Sequence, residues 1–428
     1  MIRGPPLRAA RVPAGSTEER IRVFLRVRPP APSDTASTSI STSASTSLRR
    51  HPQASATPSC VVTTLTDETD AVSSHAGRRG STGSEPKTKH VVSIPNPRSL
   101  DERLAYRFDR ILDAEAQQGD VFDALKDRVL RAVHVGHNAS LFSYGQTGSG
   151  KTWTTSGTMQ HPGLVPRLVD ALFALPQATF ASATATTIMT TTNTPSTTIE
   201  GLELAFSVME IYNEKIYDLG LPAPCLTGPG LDLREGADRK VYVAGLSDHT
   251  MTSLADFNQF YSAALQNRRT AATKLNHESS RSHFILRIKA KLTKRVPLSS
   301  SPAGVSRTIC ESTLFLVDLA GSEDNKRTAN VGQRMIESQN INRSLFTLCQ
   351  CVVALNKMNP SGAGGVGSST SNGPHVHVPF RNSKITRLLS DALGGNALGI
   401  IIACISPEAQ HLADTYNTLE FARKASRI

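Results

Sequence analysis

The sequence lacks long apolar runs and is poor in cysteine. No run of apolar residues approaches the roughly 18 that a transmembrane helix needs, so no membrane segment is predicted. The six cysteines are scattered, and Cys349-x-Cys351 has no second ligand pair of the kind that zinc sites use. This usage argues against zinc and favours a reduced, intracellular protein.

The chain is also short of acidic residues. Its 36 Asp and Glu residues stand against 47 Lys and Arg residues, which gives a formal net charge of +11. Such an excess of positive charge predicts an acidic partner. Nucleic acid, an anionic membrane and an acidic protein surface all fit the charge alone.

Basic residues open the sequence. Four arginines lie in the first 20 residues, whereas the acids there are Glu18 and Glu19. A transit peptide has a similar composition, but this stretch has no apolar periodic face. We therefore predict a disordered basic lead-in over residues 1–19.

Tracts rich in Ser and Thr interrupt the rest of the chain. Over residues 33–47, eleven of fifteen residues are Ser or Thr. Such a tract buries too little apolar surface to offset the entropy lost on ordering it. Because organised sequence resumes after each tract, we predict loop insertions within one domain spanning residues 20–427. The predicted insertions lie at about 31–60, 68–90, 177–199 and 359–375.

Strand and helix patterns alternate between these tracts. The predicted strands are 21–30, 204–212, 284–292, 313–320 and 399–406. The predicted helices, in which apolar residues recur every three or four positions, are 120–136, 255–269 and 340–357. Strands interleaved with helices predict an α/β sheet protein.

One glycine-rich stretch predicts a nucleotide site. LFSYGQTGSGKTWTTSG (141–157) joins an apolar strand end to a tight turn and a helix start, with the pattern G-x-x-x-x-G-K-S/T. Backbone N–H groups of such a loop converge on phosphates, Lys151 reaches the β- and γ-phosphate oxygens, and the Thr152 hydroxyl is positioned for Mg²⁺. The predicted binding residues of the loop are Gly145, Gln146, Thr147, Gly148, Ser149, Gly150, Lys151 and Thr152.

Two later segments supply what hydrolysis needs in addition, a Mg²⁺ carboxylate and a sensor of the γ-phosphate. TLFLVDLAGSE (313–323) is an apolar strand that ends in Asp318, placed near Mg²⁺, with the Gly321 N–H available to the γ-phosphate. NHESSRSH (276–283) carries Ser279 and Ser280, whose hydroxyls can reach Mg²⁺ and the γ-phosphate. Arg281 and Glu323 can pair across the two segments.

The nucleotide is predicted to be ATP. A GTPase usually carries N-K-x-D after its D-x-x-G sequence, and the nearest match here is NKMN (356–359). This stretch lacks the Asp that reads guanine.

With these motifs in order, the chain resembles the motor domain of kinesins over about residues 20–427. The matching stretches are RVRPP, FSYGQTGSGKTWT, VMEIYNEKIYDL, LNHESSRSHFIL, LVDLAGSE, NINRSLFTLCQCVVALN, HVPFRNSKITRLLSDALGGNA and DTYNTLEFARKA. The resemblance implies a P-loop NTPase fold, in which a central, mainly parallel or mixed β-sheet is flanked by helices on both faces. It also implies a microtubule-stimulated ATPase that uses ATP and Mg²⁺, with plus-end directed movement.

The resemblance assigns roles to individual residues. Arg26, Arg28 and Pro29 are expected to flank the adenine. Mg²⁺ is expected at Thr152 and Ser280, with Asp318 acting through a water. The expected catalytic set, which contains both switch segments, is Ser279, Ser280, Arg281, Asp318, Gly321 and Glu323. Here the serines follow Asn276-His277-Glu278 instead of the more usual Asn-Glu-His, and this swap leaves the set itself unchanged.

The resemblance also implies a basic surface that faces acidic tubulin. It includes the segment after Glu323, the helix near Asn340 and the stretch PFRNSKITR. The expected microtubule-binding residues are Lys326, Arg327, Arg334, Arg381, Lys384 and Arg387. The stretch GSEDNKRTANVG (321–332) resembles the chromosome-arm kinesins. We expect a location in the cytoplasm on the microtubule cytoskeleton, including the spindle, and binding of DNA or other cargo outside this chain.

Two alternatives stay open. A relative that depolymerises microtubule ends would carry a charged finger after the first strand, where this chain is rich in Ser and Thr. A microtubule-binding module that no longer hydrolyses nucleotide would have no need of the intact Lys151, Thr152 and Glu323. Steady-state ATPase activity with and without microtubules separates all three functions.

Overall fold

A computed structural model describes most of the chain. The described residues are 21–29, 61–66, 89–175, 198–222, 228–237, 240–274, 279–297, 305–323, 333–358, 376–394 and 397–428. The predicted lead-in and nearly all of the predicted insertions lie outside these residues and stay predictions. Two predicted insertions end inside described strands. Lys89 and His90, from the insertion at 68–90, begin one strand, and Thr198 and Ile199, from the insertion at 177–199, begin another.

Within these residues the chain forms strands and helices that alternate. The strands are β1 (Arg22–Val27), β2 (Val62–Thr66), β3 (Lys89–Asn96), β4 (Ser99–Phe108), β5 (Arg110–Leu112), β6 (Ala139–Tyr144), β7 (Thr198–Tyr212), β8 (Lys215–Asp218), β9 (Leu233–Glu235), β10 (Val241–Val243), β11 (His249–Met251), β12 (His283–Pro297), β13 (Val305–Asp318) and β14 (Leu398–Ile405). The helices are α1 (Gln118–Val135), α2 (Lys151–Thr155), α3 (Leu164–Phe173), α4 (Leu254–Lys274), α5 (Gln333–Met358), α6 (Lys384–Leu388), α7 (Ser390–Leu393) and α8 (Leu412–Ala425).

A nine-stranded mixed sheet forms the centre of the fold. Its order is β11-β7-β12-β13-β6-β14-β1-β5, and β8 pairs with β7. The strands from β13 to β5 pair in parallel, whereas β11, β7, β12 and β13 pair in antiparallel fashion. Parallel neighbours of this kind need crossover connections, which the helices supply.

Alternating side chains of the sheet supply two apolar cores. In β6, Leu141 belongs to the core beneath α1, α3 and α4, and Phe142 belongs to the core beneath α5, α6 and α8. In β14, Ile400 and Ile401 divide in the same way. Because successive strand residues point to opposite faces, strands that are buried on both sides read as continuous apolar runs. The predicted α/β fold with helices on both faces is confirmed.

The predicted elements recur with shifted ends. The three predicted helices correspond to α1, α4 and α5, and the predicted strands correspond to β1, β7, β12, β13 and β14. Strands β12 and β13 extend beyond the predicted apolar segments because their polar outer residues still pair in register, from Phe284 with Asp318 to Pro297 with Val305. None of the described helices is both long and apolar enough to cross a membrane.

Two smaller sheets were not predicted. Strands β2, β3 and β4 form an antiparallel sheet, and β9 pairs with β10. Strand β2 lies between the predicted insertions at 31–60 and 68–90, and β3 begins at the end of the second. Val92 and Ile94 in β3 and Tyr106 and Phe108 in β4 are buried at alternate positions, a strand signal that sequence reasoning missed.

The topology gathers the motifs at one edge of the main sheet. Strand β6 lies between β13 and β14 and is parallel to both. The glycine-rich loop that follows β6 and the D-x-x-G segment that follows β13 therefore leave the sheet at the same carboxyl edge. Ligands of open α/β sheets bind at this edge.

Candidate functional site

The glycine-rich loop has the expected strand, turn and helix. Gly145, Gly148 and Gly150 have φ angles of 150°, 78° and 97°, a region that other residues avoid. A Cβ atom at Gly145 would collide with the carbonyl oxygen of Cys404 in β14. The glycines are therefore required both by the turn and by the close approach of the neighbouring strand.

Lys151 is held inside this loop. Its side chain is only 7% exposed, and its Nζ atom donates a hydrogen bond of 2.8 Å to the carbonyl oxygen of Gln146. Burial lowers the pKa of Lys151, while the carboxylates of Asp318 and Glu323 act in the opposite direction. The loop thus presents a positioned cation beside two acidic residues.

Asp318 lies beside the first turn of α2. The Thr152 hydroxyl donates to Asp318 Oδ2 at 2.6 Å, and the Ser143 hydroxyl lies 3.3 Å from Oδ1. Asp318 is 1% exposed. A hydroxyl and a carboxylate in contact are the oxygen donors that Mg²⁺ accepts alongside phosphate oxygens and waters. In the part of the chain that the structure describes, no cluster of three or more His, Cys, Asp and Glu residues forms a metal cage.

The D-x-x-G segment contacts the glycine-rich loop directly. Glu323 accepts two hydrogen bonds from Thr147, one from the main-chain N–H at 2.7 Å and one from the hydroxyl at 2.5 Å. The Ser322 N–H donates to the carbonyl oxygen of Gly145 at 3.1 Å. A Cβ atom at Gly321 would collide with the Thr147 hydroxyl and the Glu323 carboxylate, so a larger residue here would displace the contact between these two side chains.

The serine-rich segment meets the same residues. The Gly321 N–H donates to the carbonyl oxygen of Ser280 at 2.8 Å. Ser280 and Arg281 lie in a 3₁₀ turn that begins at Ser279, whose side chain lies outside the described part of the chain. The expected ion pair between Arg281 and Glu323 stays a prediction, because the contacts described for Glu323 are those with Thr147.

His283 joins this site to helix α5. Its Nδ1 atom accepts a hydrogen bond from the Ala320 N–H at 3.1 Å, and its Nε2 atom lies 2.8 Å from the Ser344 hydroxyl. Burial, followed by the charges of Arg268 and Lys151, lowers the pKa of His283 to about 3. The imidazole is therefore neutral, and with Nδ1 accepting, Nε2 carries the proton and donates to Ser344.

Sequence reasoning missed a buried ion pair behind Asp318. Arg268 of α4 lies 3.4 Å from Asp318 Oδ2 and 3.7 Å from Glu210 Oε1, and all three side chains are buried. The Ser282 hydroxyl donates to Glu210 at 2.5 Å. Arg268 follows the buried residues Phe257, Tyr261 and Ala264 at helical spacing. An arginine on the apolar face of a predicted helix was the signal that could have identified it.

The arginines near the end of β1 also reach the loop. Arg26 is buried and donates to the Gln118 side chain at 2.8 Å and to the Thr154 hydroxyl at 2.9 Å. Arg28 donates to the Gly148 carbonyl oxygen at 2.7 Å, and the adjacent Pro29 is exposed. Their expected contact with adenine stays a prediction.

A half-exposed tryptophan next to the loop was also missed. Trp153 follows Thr152 in α2, its side chain is 40% exposed, and its carbonyl oxygen accepts a hydrogen bond of 2.6 Å from Gln118. It is the chain's one tryptophan. The sequence signal was an aromatic residue at a helix position that follows directly on the phosphate-binding pattern.

The predicted basic surface is described in part. Lys326 and Arg327 lie outside the described residues, as does the side chain of Arg334. Arg381 lies in a 3₁₀ turn before α6, and Lys384 and Arg387 lie in α6.

Acidic residues of the β9 region lie against two of these basic residues. Arg381 is 3.4 Å from Glu235, and Lys384 is 3.8 Å from Asp232. Arg381 and Lys384 thus both lie against the β9 region, and Arg387 follows Lys384 by about one helical turn.

Comparison with known families matches residues 26–428 to the kinesin motor domain. The chain belongs to this family. The predicted family is therefore confirmed, and with it the predicted class of protein, a kinesin-type motor domain. Kinesin motors associate with the microtubule cytoskeleton, and the predicted location is confirmed at that level.

Several kinesins are similar to this chain. Kinesin-like protein KIF22 of Danio rerio is 40% identical over 339 residues, which are 79% of this chain and 47% of the relative. Kinesin-like protein KIF18B of Homo sapiens is 33% identical over 96% of this chain and 41% of the relative. The chain thus spans about half the length of the curated relatives it matches, or less.

Solved kinesin structures share the fold. The structure of a fast kinesin has a TM-score of 0.66 and 27% identity, with 95% of this chain and 91% of that one covered. A KIF14 dimer, described with AMP-PNP in complex with a microtubule, has a TM-score of 0.65 and 27% identity, with 96% and 94% covered.

Proposed function

We propose that this kinesin motor domain hydrolyses ATP with Mg²⁺ and couples each cycle to microtubule binding and plus-end directed movement. The observation that carries the proposal is a set of hydrogen bonds that, joined through the short chain segments 280–283 and 320–323, runs from the phosphate-binding loop to α5. Thr147 binds Glu323, the Gly321 N–H binds Ser280, and His283 links Ala320 to Ser344 in α5. A change at the nucleotide can therefore reach α5 through bonded groups.

The chain's residues divide the work of hydrolysis. Lys151 binds the β- and γ-phosphates from inside the loop, and its burial strengthens that attraction. The Gly321 N–H exchanges its bond with the Ser280 carbonyl oxygen for one with the γ-phosphate. Glu323 positions the attacking water once it leaves Thr147, and Arg281 holds Glu323 in that position. Electrostatic positioning of this kind accounts for most of the catalysis in phosphoryl transfer.

The oxygen donors fit a magnesium ion. Thr152 and Asp318 are already in contact at 2.6 Å, and the Ser280 hydroxyl would add a third oxygen when the ion binds. These residues would hold Mg²⁺, with Asp318 acting through a water. Mg²⁺ supplies charge neutralisation on the β- and γ-phosphate oxygens when it is bound.

Steady-state ATPase activity, measured with and without microtubules, tests the proposal. A motor is stimulated along the microtubule lattice, a depolymerising relative shortens stabilised microtubules, and a vestigial module shows no turnover. Quenching or enhancement of Trp153 fluorescence on adding AMP-PNP provides an independent measure of nucleotide binding, because Trp153 is the chain's one tryptophan and follows Thr152. Turnover that does not respond to microtubules would contradict the proposed coupling.

The finer setting follows from the same proposal. We infer a cytoplasmic protein that works on microtubules, including those of the spindle. The likeness of residues 321–332 to chromosome-arm kinesins favours a chromosome-linked role, with contacts to DNA or other cargo outside residues 20–427. Gliding assays on polarity-marked microtubules test the plus-end direction.

A further inference from the structure

The turn between β7 and β8 has an unfavourable backbone. Asn213 and Glu214 have φ angles of 51° and 57°, and in the described part of the chain they are the only residues other than glycine with positive φ. A two-residue hairpin turn of this kind favours Asn followed by Gly. Asn213 fits that preference, whereas Glu214 stands where glycine would be least strained.

The side chain of Glu214 makes two hydrogen bonds that glycine could not make. Its Oε1 atom accepts from the Ser383 hydroxyl at 2.8 Å, and its Oε2 atom accepts from the Lys384 N–H at 2.7 Å. Ser383 is the N-cap residue of α6, but its own side chain makes no capping bond. The carboxylate of Glu214 therefore caps α6 from a turn about 170 residues earlier in the sequence.

Basic residues lie in α6 and just before it, next to the end that Glu214 caps. Ile385 and Leu388 are buried beneath it, and Arg381 before it is 78% exposed. Lys384 is the residue whose N–H group Glu214 binds, and Arg387 follows one turn later. The exposed contacts of Arg381 with Glu235 and of Lys384 with Asp232 are of a kind that contributes little to stability. The partly buried bonds of Glu214 are the firmer attachment.

We propose that Glu214 is a positioning residue for microtubule binding, which holds the start of α6 so that Lys384 and Arg387 face the microtubule. This inference rests on the proposed microtubule-binding role of Arg381, Lys384 and Arg387. Strained residues of this kind persist where the surrounding structure uses them. Here the two hydrogen bonds to Ser383 and Lys384 compensate the strained backbone that places the carboxylate beside them.

The substitution Glu214→Gly separates this role from a merely structural one. Glycine relieves the positive φ, and this relief offsets part of the stability lost with the two hydrogen bonds, so the melting temperature should fall by no more than about 5 °C. Loss of the cap should raise the microtubule concentration for half-maximal ATPase stimulation about fivefold, with less than about a twofold change in maximal stimulated kcat. Glu214→Gln keeps one acceptor oxygen and should give an intermediate value.

Two further variants make the outcome decisive. Glu203→Ala is the matched control, since it removes a glutamate of β7 whose partner is the exposed Lys291, and it should leave microtubule affinity unchanged. The triple variant Arg381→Ala/Lys384→Ala/Arg387→Ala should lose affinity, and adding Glu214→Gly to it should have little further effect, because both changes act through α6.

Different binding results would overturn different parts of the proposal. If Glu214→Gly binds microtubules as tightly as the wild type while the triple variant binds weakly, the positioning role is wrong and the basic surface stands. If the triple variant also binds normally, the proposed surface is wrong and the role of Glu214 falls with it. If Glu214→Gly weakens binding equally in the wild type and the triple variant, Glu214 does not act through α6, which also overturns the inference.

Discussion

The nucleotide site and the basic surface of α6 use charge in opposite ways. Lys151 is buried and donates a hydrogen bond to Gln146 of its own loop, and the neighbouring Asp318 is also buried. Arg381 is exposed on the basic surface, and the Glu235 opposite it is itself partly exposed. A buried charge acts through fixed geometry, whereas an exposed charge acts through a field that salt screens.

This difference determines how strongly a single substitution affects each function. At the nucleotide site, one substitution removes an interaction that no neighbour can replace. At the basic surface, function is spread over several residues and over remote supports such as Glu214, so that single charge changes have smaller effects.

The largest effect is expected at Lys151. Lys151→Ala should lower ATP turnover by at least about 10²-fold, because it removes the main positive charge on the β- and γ-phosphates. Steady-state ATPase assays at saturating ATP measure the change. A variant that retains more than about a third of wild-type turnover would show that the loop is misassigned and that the buried site is as tolerant as the surface.

His283 should make the buried region sensitive to acid. Its pKa of about 3 in the folded protein lies below the value of about 6.5 in an unfolded chain, so between these values only the unfolded chain binds the proton. The contribution of the neutral His283 to the free energy of unfolding is complete above about pH 6.5. It falls as the pH falls, and at pH 5 the free energy of unfolding is lower by about 2 kcal/mol.

Unfolding free energies measured at several pH values test this expectation. The difference in stability between the wild type and His283→Asn should be larger at pH 7 than at pH 5, because the variant lacks the titrating group. Parallel pH profiles for the two proteins would contradict the neutral, buried imidazole that links Ala320 to Ser344.

A smaller, salt-dependent effect is expected on the basic surface. Neutralising Arg381, Lys384 and Arg387 together should weaken microtubule affinity about tenfold at low salt and flatten its dependence on ionic strength. Co-sedimentation across a salt series measures both quantities. An unchanged affinity and salt slope would remove this surface from the binding site.

The sequence predicted the residues of the nucleotide site better than the distant contacts that hold the functional residues in place. Lys151, Asp318 and Gly321 belong to short motifs in which each residue type is dictated by phosphate or magnesium chemistry, and the structure brings these motifs together. The central sheet was predictable because its buried strands are continuous apolar runs. Motif and periodicity were sufficient wherever the determining residues are neighbours in sequence.

The supporting contacts could not be predicted in this way. Arg268 reaches Asp318 across 50 residues, and Glu214 reaches Lys384 across 170. Each of these residues is ordinary in its local segment, and its role appears only when the fold brings a distant partner to it. The small sheet of β2, β3 and β4 was missed for a different reason, because its alternating buried residues, such as Val92 and Ile94, stand in short segments beside Ser- and Thr-rich sequence.

The coupling of the two regions is the central claim, and Glu323→Ala tests it most directly. The variant should still bind AMP-PNP, as judged by Trp153 fluorescence, and should still bind microtubules, because Lys151 and α6 are intact. Co-sedimentation in ATP, run beside a phosphate-release assay, should show tight attachment with microtubule-stimulated turnover reduced about tenfold or more. Near-normal stimulation, with release from microtubules in ATP, would contradict the account that Glu323 links the nucleotide to the microtubule.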